Sequence, residues 1–391
     1  MNVLVLAALA DATGNAVTAR RSASHLSPEP EVHLVDSPGP RPKDLRALVE
    51  DRGVDVAVGL HALLGGPFLR GLGIPYALVF GGTDLYEPVH QLQAKEMARA
   101  VGGAAKLIGF SPENIARAEW MWPHVAGRVE RIPQAVEAPL TEPGFSLRAE
   151  LGLRPDDVLL LLPTGIRRVK DPLHVVDAVS AWHARDPRVH LAIAGALLEP
   201  DYVEQALPIL RSRPGVHFVA ALPRARMLAA IDEADVVLNT SLSEGMCGLL
   251  LEAMCLRTPI VARRNAGNES LIAHGSTGLL YDHPDELVHW ARALLASGDL
   301  RERLAARARE LVEHVHSNHV ERARYHELVE EIAPYGRPSL LPAPVAPVDE
   351  LTRAVGVGAR LGLAPPVEHA VVALADRVRA DPELARLHKE I

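Results

Sequence analysis

The chain has 391 residues, 48% of them hydrophobic, with a formal net charge of −8 at pH 7. That length calls for two domains, and that apolar content for buried cores rather than a disordered chain. The acidic balance argues against a nucleic-acid partner, which needs a basic face, and no apolar run is long enough to span a bilayer.

The opening "MNVLVLAALADA" lacks a positive n-region and its apolar run is short, so it reads as a first strand, Val3 to Leu9, rather than a signal peptide. "ADATGNAVTARRSASHL" follows as a Gly14-centred turn leading into a helix. "DVAVGLHALLGG" gives a strand ending at His61, and "IPYALVFGGTDLYE" a strand running into a Gly-Gly turn with Thr83 and Asp84. Two more strand-and-turn signals follow in "AAKLIGFSPENIARA" and "RVERIPQAVEAPL". Pro139 to Ser146, rich in proline and glycine, reads as an interdomain linker.

The alternation then restarts. "DDVLLLLPTGIRRVKDPLHVVDAVSAWHARDP" is a strand, a basic turn and a helix. In "VVLNTSLSEGMCGLLLEAMCLRTPIVAR", Val236 to Leu238 reads as a buried strand and "NTSLSEG" as a loop or helix N-cap. A helix runs from about Gly248 to Leu256, ends at Thr258-Pro259, and is followed by a strand at Ile260 to Ala262. Cys247 and Cys255 share this element, where a disulfide fits poorly and two cysteines make no zinc cage, so they read as reduced thiols of a cytoplasmic protein. Helices continue to about Ala333. "PYGRPSLLPAPVAPVDE" is then a proline-rich spacer before a helical tail.

The strand–turn–helix–strand unit around Glu244 and Glu252 belongs to a parallel α/β sheet, in which ligands bind beyond the carboxyl ends of the strands. Eight residues apart on one helix, the two glutamates would not share a face. With Glu244 on the loop, both can point into one crevice, with the free amides of Gly245 to Leu249 between them, aimed at an anion. Two acceptors flanking a row of donors suit a nucleotide sugar. The plainer reading, two solvated surface glutamates, rests on the pair taken alone.

"SLSEGMCGLLLEA", "TPIVARRNAGNESLI" and "HGSTGLLYD" resemble the nucleotide-sugar domain of the family 4 retaining glycosyltransferases, which have the GT-B fold. "TGNAVTARR", "FGGTDLYE", "RRVKDPLHVVDAVSAWH" and "SEGM" narrow the resemblance to the glycosyltransferase 1 domain-containing branch, with the bacterial selenosugar synthases as neighbours. It runs from Met1 to about Ala333. It implies an α/β chain of two Rossmann-like, doubly wound domains facing a cleft: an acceptor domain over residues 1–142 and a nucleotide-sugar domain over 143–316. A helix crossing back at 317–335 and a tail at 336–391 complete the expected layout.

The resemblance assigns roles. Glu252 is expected to accept hydrogen bonds from the ribose, Glu244 to touch the donor sugar, and Met246, Cys247, Gly248 and Leu249 to supply amides. Arg167 and Lys170 are expected to clamp the diphosphate, with Arg168 able to share that role. Gly14 and Asn15 would approach the phosphates from the first domain. Two fixed cations stabilise the charge that builds on the leaving diphosphate, so no metal and no cofactor beyond the UDP-sugar donor is implied. The chain departs from its relatives in three places. The clamp arginine stands three residues before Lys170 rather than five, where Gly165 sits. Gly81 replaces the usual histidine before Gly-Thr-Asp, leaving His61, with Thr83 and Asp84, as candidate sugar or acceptor contacts. Met246-Cys247 replaces Phe-Gly.

The expected reaction is hexosyl transfer from a UDP sugar to a small-molecule acceptor. Transfer to sulfur or selenium, or nucleotide-sugar binding without turnover, are the alternatives. The C-terminal helices are a candidate homodimer contact. His314, His316 and His319 in "EHVHSNH" do not match zinc spacing, and Trp120 and Trp122 read as core or cleft lining.

Overall fold

The structure, a computed structural model, describes residues 1–9, 14–37, 42–87, 90–136 and 140–333. The expected spacer and tail at 336–391, and with them the candidate dimer contact, lie outside the described residues. The chain divides into two compact units, one made of Met1–Ala135 together with the segment that begins at His316, the other of Val136–Val315.

The first unit holds a six-stranded sheet of β1 (Asn2–Ala7), β2 (Glu31–Asp36), β3 (Val56–Leu60), β4 (Tyr76–Val79), β5 (Lys106–Gly109) and β6 (Val129–Arg131). The strands lie in the order β2-β1-β3-β4-β5-β6, all parallel. A parallel sheet is covered on both faces, which is why β1 and β3 read as unbroken apolar runs. Val3 to Ala7 and Val56 to Val58 are completely buried. β2 is absent from the sequence-based layout: "EVHLVD" is an edge strand of mixed polarity, only partly buried, with no apolar run to mark it. The helix Asn318–Ile332 packs on the helix Gly14–Leu26 and so belongs to this unit by contact.

The second unit repeats the architecture with β7 (Val158–Pro163), β8 (Val189–Ala194), β9 (Val216–Val219), β10 (Val236–Asn239), β11 (Ile260–Arg263) and β12 (Leu279–Tyr281). Its order is β12-β11-β10-β7-β8-β9, again all parallel. The chain starts at β7, winds outward through β8 and β9, then returns to β10 on the other side of β7. The topological switch point of the sheet therefore lies between β7 and β10, and in sheets of this kind ligands bind at the carboxyl end of that point. The equivalent point in the first unit lies between β1 and β3. Among the described residues no helix is long and apolar enough to cross a membrane.

Candidate active site

In the second unit the turns after β7 and β10 are stitched together at the switch point. The amide of Leu242 donates to the Val169 carbonyl at 2.9 Å, and the Thr240 hydroxyl donates to the Lys170 carbonyl at 2.7 Å. These bonds bring Lys170, at the end of the short 3-10 helix Arg168–Lys170, onto Glu244. Lys170 Nζ lies 2.5 Å from Glu244 Oε1. The same oxygen accepts from the Ser241 hydroxyl at 2.7 Å and from Asn239 Nδ2 at 3.3 Å. Burial alone would raise the Glu244 pKa, but the Lys170 cation and these donors outweigh it and hold the carboxyl below its ordinary range. Glu244 is thus a carboxylate at neutral pH, fixed by its surroundings.

A second ring of contacts fixes the donors. Asn239 Oδ1 accepts from Asn268 Nδ2 at 2.9 Å and from the Ser241 amide at 3.1 Å, which orients the Asn239 amide so that its nitrogen faces Glu244. Asn268 is completely buried and also donates to the Arg263 carbonyl at 2.8 Å. Beside it, a β-carbon on Gly267 would stand 2.2 Å from the Glu244 carbonyl oxygen, so only glycine lets β11's following turn close on the glutamate. Sequence reasoning had not singled out Asn239, Ser241, Gly267 or Asn268. "AGNES" carried the signal, a glycine and an amide at a strand end, but the partner residues are far away in sequence.

Of the two arginines, the structure sets Arg167 apart. Its Nε is buried and has no hydrogen-bond partner among the described residues. Arg168 is spoken for: its Nε lies 2.7 Å from Glu199 Oε1, its amide donates to Glu199 at 2.9 Å, and its guanidinium lies over the Tyr202 ring. A buried cationic donor without an acceptor, four residues past the end of the apolar strand β7, suits an incoming anion.

Glu252 sits on the helix Gly248–Cys255, buried, with its Oε1 2.6 Å from Arg224 Nη1. Cys247 is the N-cap residue of that helix, and Met246, Gly248 and Leu249 stand half-buried around its start. Burial, reinforced by the Glu244 charge, pushes the Cys247 thiol up to about 12, so it is a neutral packing group. Both cysteines are free and buried.

In the first unit, His61 follows β3 with a left-handed φ of 75°. Its Nδ1 lies 2.6 Å from Asp84 Oδ1, and its Nε2 is hydrogen-bonded to the Thr83 hydroxyl. Asp84 is buried and also accepts from the amides of Ala62 at 2.8 Å and Gly81 at 2.9 Å. His61, Thr83 and Asp84 therefore form one cluster. The imidazole stands beside Gly81, where a β-carbon would meet His61 Cδ2 at 3.3 Å and Asn15 Oδ1 at 3.9 Å. Gly14, at the start of its helix, is exposed and a β-carbon there would meet nothing within 4 Å among the described residues. His316 is buried and bonds the Gln134 carbonyl through Nδ1 at 2.7 Å, while His314 bonds the Glu310 carbonyl. Trp122 is core, stacked on Phe80. Among the described residues no cluster of histidine, cysteine or acidic side chains has metal-site geometry.

Comparison with known proteins bears on the family and the fold. Residues 145–311 match the family described as glycosyl transferases group 1. The chain is 32% identical over 341 residues to glycosyltransferase 1 domain-containing protein 1 of Xenopus tropicalis, covering 84% of this chain and 97% of that protein. It is 32% identical over 234 residues to a D-inositol 3-phosphate glycosyltransferase of Paenarthrobacter aurescens, covering 56% of this chain and 54% of that protein. Among solved structures, Anabaena HepE in complex with UDP-glucose superimposes with a TM-score of 0.71 at 16% identity, over 85% of this chain and all of that one. Sucrose-phosphate synthase of Thermosynechococcus elongatus gives 0.71 at 18% identity, over 86% of this chain and all of that one. The fold is GT-B.

Proposed function

The chain belongs to the group 1 glycosyltransferases, and from that premise we propose that it is a cytoplasmic, metal-independent retaining enzyme of family 4 that moves a hexosyl group from a UDP sugar to a small-molecule acceptor. The observation that carries the reading is that one turn at the sheet's switch point holds both a buried Arg167 Nε with no acceptor among the described residues and, three residues on, the Lys170 that pairs with Glu244. HepE, with the same fold, has been seen with UDP and with UDP-glucose, which supports uridine as the base.

In the reaction the bond between the anomeric carbon and the diphosphate oxygen breaks, and negative charge collects on the diphosphate. Arg167 and Lys170 are the groups that meet that charge. Fixed cations in a partly buried site stabilise it more as it develops than before, which lowers the barrier. The acceptor oxygen bonds to the anomeric carbon on the face the diphosphate leaves, and the acceptor proton passes to a diphosphate oxygen. No protein base is required. Glu244, held ionised by Lys170, takes hydrogen bonds from the sugar hydroxyls, and the amides from Met246 to Leu249 bind sugar and phosphate. Glu252 takes the ribose diol once Arg224 yields it. Gly14 and Asn15 serve the phosphates, and His61, Thr83 and Asp84 the sugar or acceptor.

Calorimetric titration with UDP, GDP and ADP tests this. UDP alone is expected to bind tightly, and Glu252→Ala to weaken it by at least tenfold, about 1.4 kcal/mol. Equal binding of all three nucleotides, or an unchanged affinity in the variant, would overturn the donor assignment.

A further inference from the structure

Asp171 directly follows Lys170 and adopts a left-handed backbone with φ of 41°. That conformation is uncommon for any residue but glycine, though aspartate tolerates it better than most. It caps the 3-10 helix Arg168–Lys170, with its amide donating to the Arg168 carbonyl at 3.0 Å. Glycine would adopt this turn without steric cost, so the presence of a carboxylate calls for a partner. The partner is Arg263, at the end of β11, whose Nη1 lies 2.7 Å from Asp171 Oδ2. The same nitrogen also reaches the Thr240 carbonyl at 3.3 Å. Thr240 in turn donates to the Lys170 carbonyl.

Arg263 is itself held, since its carbonyl accepts from the buried Asn268. His174 faces the same carboxylate, with Nδ1 3.7 Å from Asp171 Oδ2. One guanidinium thus grips both turns that carry Lys170 and Glu244, 92 residues along the chain from the carboxylate it holds.

Resting on the glycosyltransferase reading above, we propose that Arg263 and Asp171 are positioning residues: their ion pair holds the turn after β7 in its left-handed form and so sets the Lys170 ammonium where it meets the donor diphosphate. Neither touches the substrate in this account. Both act through Lys170.

Four proteins test it: wild type, Arg263→Ala, Asp171→Gly and the double variant. Each is assayed for UDP affinity by calorimetry, UDP release from UDP-glucose, and Tm. Arg263→Ala frees an aspartate to leave the left-handed region, and UDP affinity and release are expected to fall about tenfold or more. Glycine needs no such restraint. Asp171→Gly alone is expected to cost about threefold, and adding Arg263→Ala to it to cost little more, a non-additive rescue. A double variant as impaired as Arg263→Ala would show that Arg263 acts some other way and would overturn the proposal. So would an Arg263→Ala protein with lowered Tm but wild-type affinity and rate. If Arg263→Ala does not fold, Asp171→Val carries the test. A β-branched residue resists positive φ, so the same loss is expected with Arg263 intact, and wild-type behaviour would refute the idea. Wild-type protein that binds no UDP would instead sink the donor assignment, and this inference with it.

Discussion

Glu321 and Glu244 are both buried carboxylates, both held below the ordinary carboxylate range by neighbouring cations and donors that outweigh the cost of burial. Their surroundings differ. Glu321, on the helix Asn318–Ile332, is gripped by Arg21 through Nε at 2.7 Å and Nη2 at 3.1 Å, and by His25 Nε2 at 2.8 Å. Every charged group in that cluster is turned inward: the Arg21 side chain is 4% exposed and that of Glu321 0%. It is a latch that docks one helix on another within the first unit. Glu244's partner Lys170 keeps 20% of its side chain exposed, and on the same turn Arg167 Nε has no acceptor among the described residues. Buried charge alone therefore does not mark a site. What sets the second cluster's turn apart is a buried cationic donor, Arg167 Nε, left without an acceptor among the described residues.

Breaking each cluster should separate stability from catalysis. Glu321→Ala leaves Arg21 buried without its counter-charge, and a loss of about 3–5 kcal/mol in chemical denaturation is expected. UDP affinity of the folded fraction should be near wild type; a strong loss of affinity at unchanged stability would erase the distinction between latch and site. Lys170→Ala is the converse. UDP release from UDP-glucose should slow by about 10²–10³-fold, in the range found when a transition-state donor is removed. Its Tm should fall less than that of Glu321→Ala, because Ser241 and Asn239 still serve Glu244.

Acid tests the same contrast more gently. Both glutamates have depressed pKa values, so their contribution is complete above the unfolded carboxylate range and is lost only as pH falls through and below it. His274 in the second unit responds earlier. Burial, helped by nearby Arg264, lowers its pKa from 6.5 to about 4, and its Nδ1 accepts the Leu280 amide. The unfolded chain takes up a proton below pH 6.5 that the folded unit refuses until about pH 4, so stability should fall with acidification across that window. At one pH unit below the unfolded value the loss is about 1.4 kcal/mol. His274→Gln should flatten the slope in denaturation series between pH 7 and 5; an unchanged slope would assign it to other groups.

Much of this architecture was legible in the sequence. β1, β3, β7 and β10 are unbroken apolar runs because both faces of a parallel sheet are covered, and Gly248 to Cys255 showed itself by its flanking glycine and Thr-Pro stop. The resemblance placed Glu244 and Lys170, which the structure brings into contact. Less legible was whatever depends on pairs remote in sequence. Nothing in "RRVKDP" says that Asp171 is left-handed, and nothing in "IVARRN" says which arginine holds it. Arg224 on Glu252 was equally hidden, since an arginine at a helix start normally reads as solvated surface. β2 was missed because an edge strand has no continuous apolar signature.

The smallest expected effect is also the sharpest use of the contrast, because it sets two adjacent arginines against each other. Sequence alone lets Arg167 and Arg168 share the diphosphate. In the structure Arg168 is 56% exposed and its guanidinium is already matched by Glu199, an exposed pair of the kind that contributes about 0–1 kcal/mol. Binding a phosphate there would have to displace Glu199 and gain only the difference. Arg167 has no such competitor at Nε among the described residues. Arg168→Ala should therefore change UDP affinity by less than about threefold, whereas Arg167→Ala should weaken it by tenfold or more, at about 1.4 kcal/mol per factor of ten. Titration of the two variants against UDP, at low and at physiological salt, reads the difference directly. Equal losses would mean that Arg168 leaves Glu199 when the nucleotide arrives. An unpartnered buried donor would then be too narrow a criterion for locating the clamp.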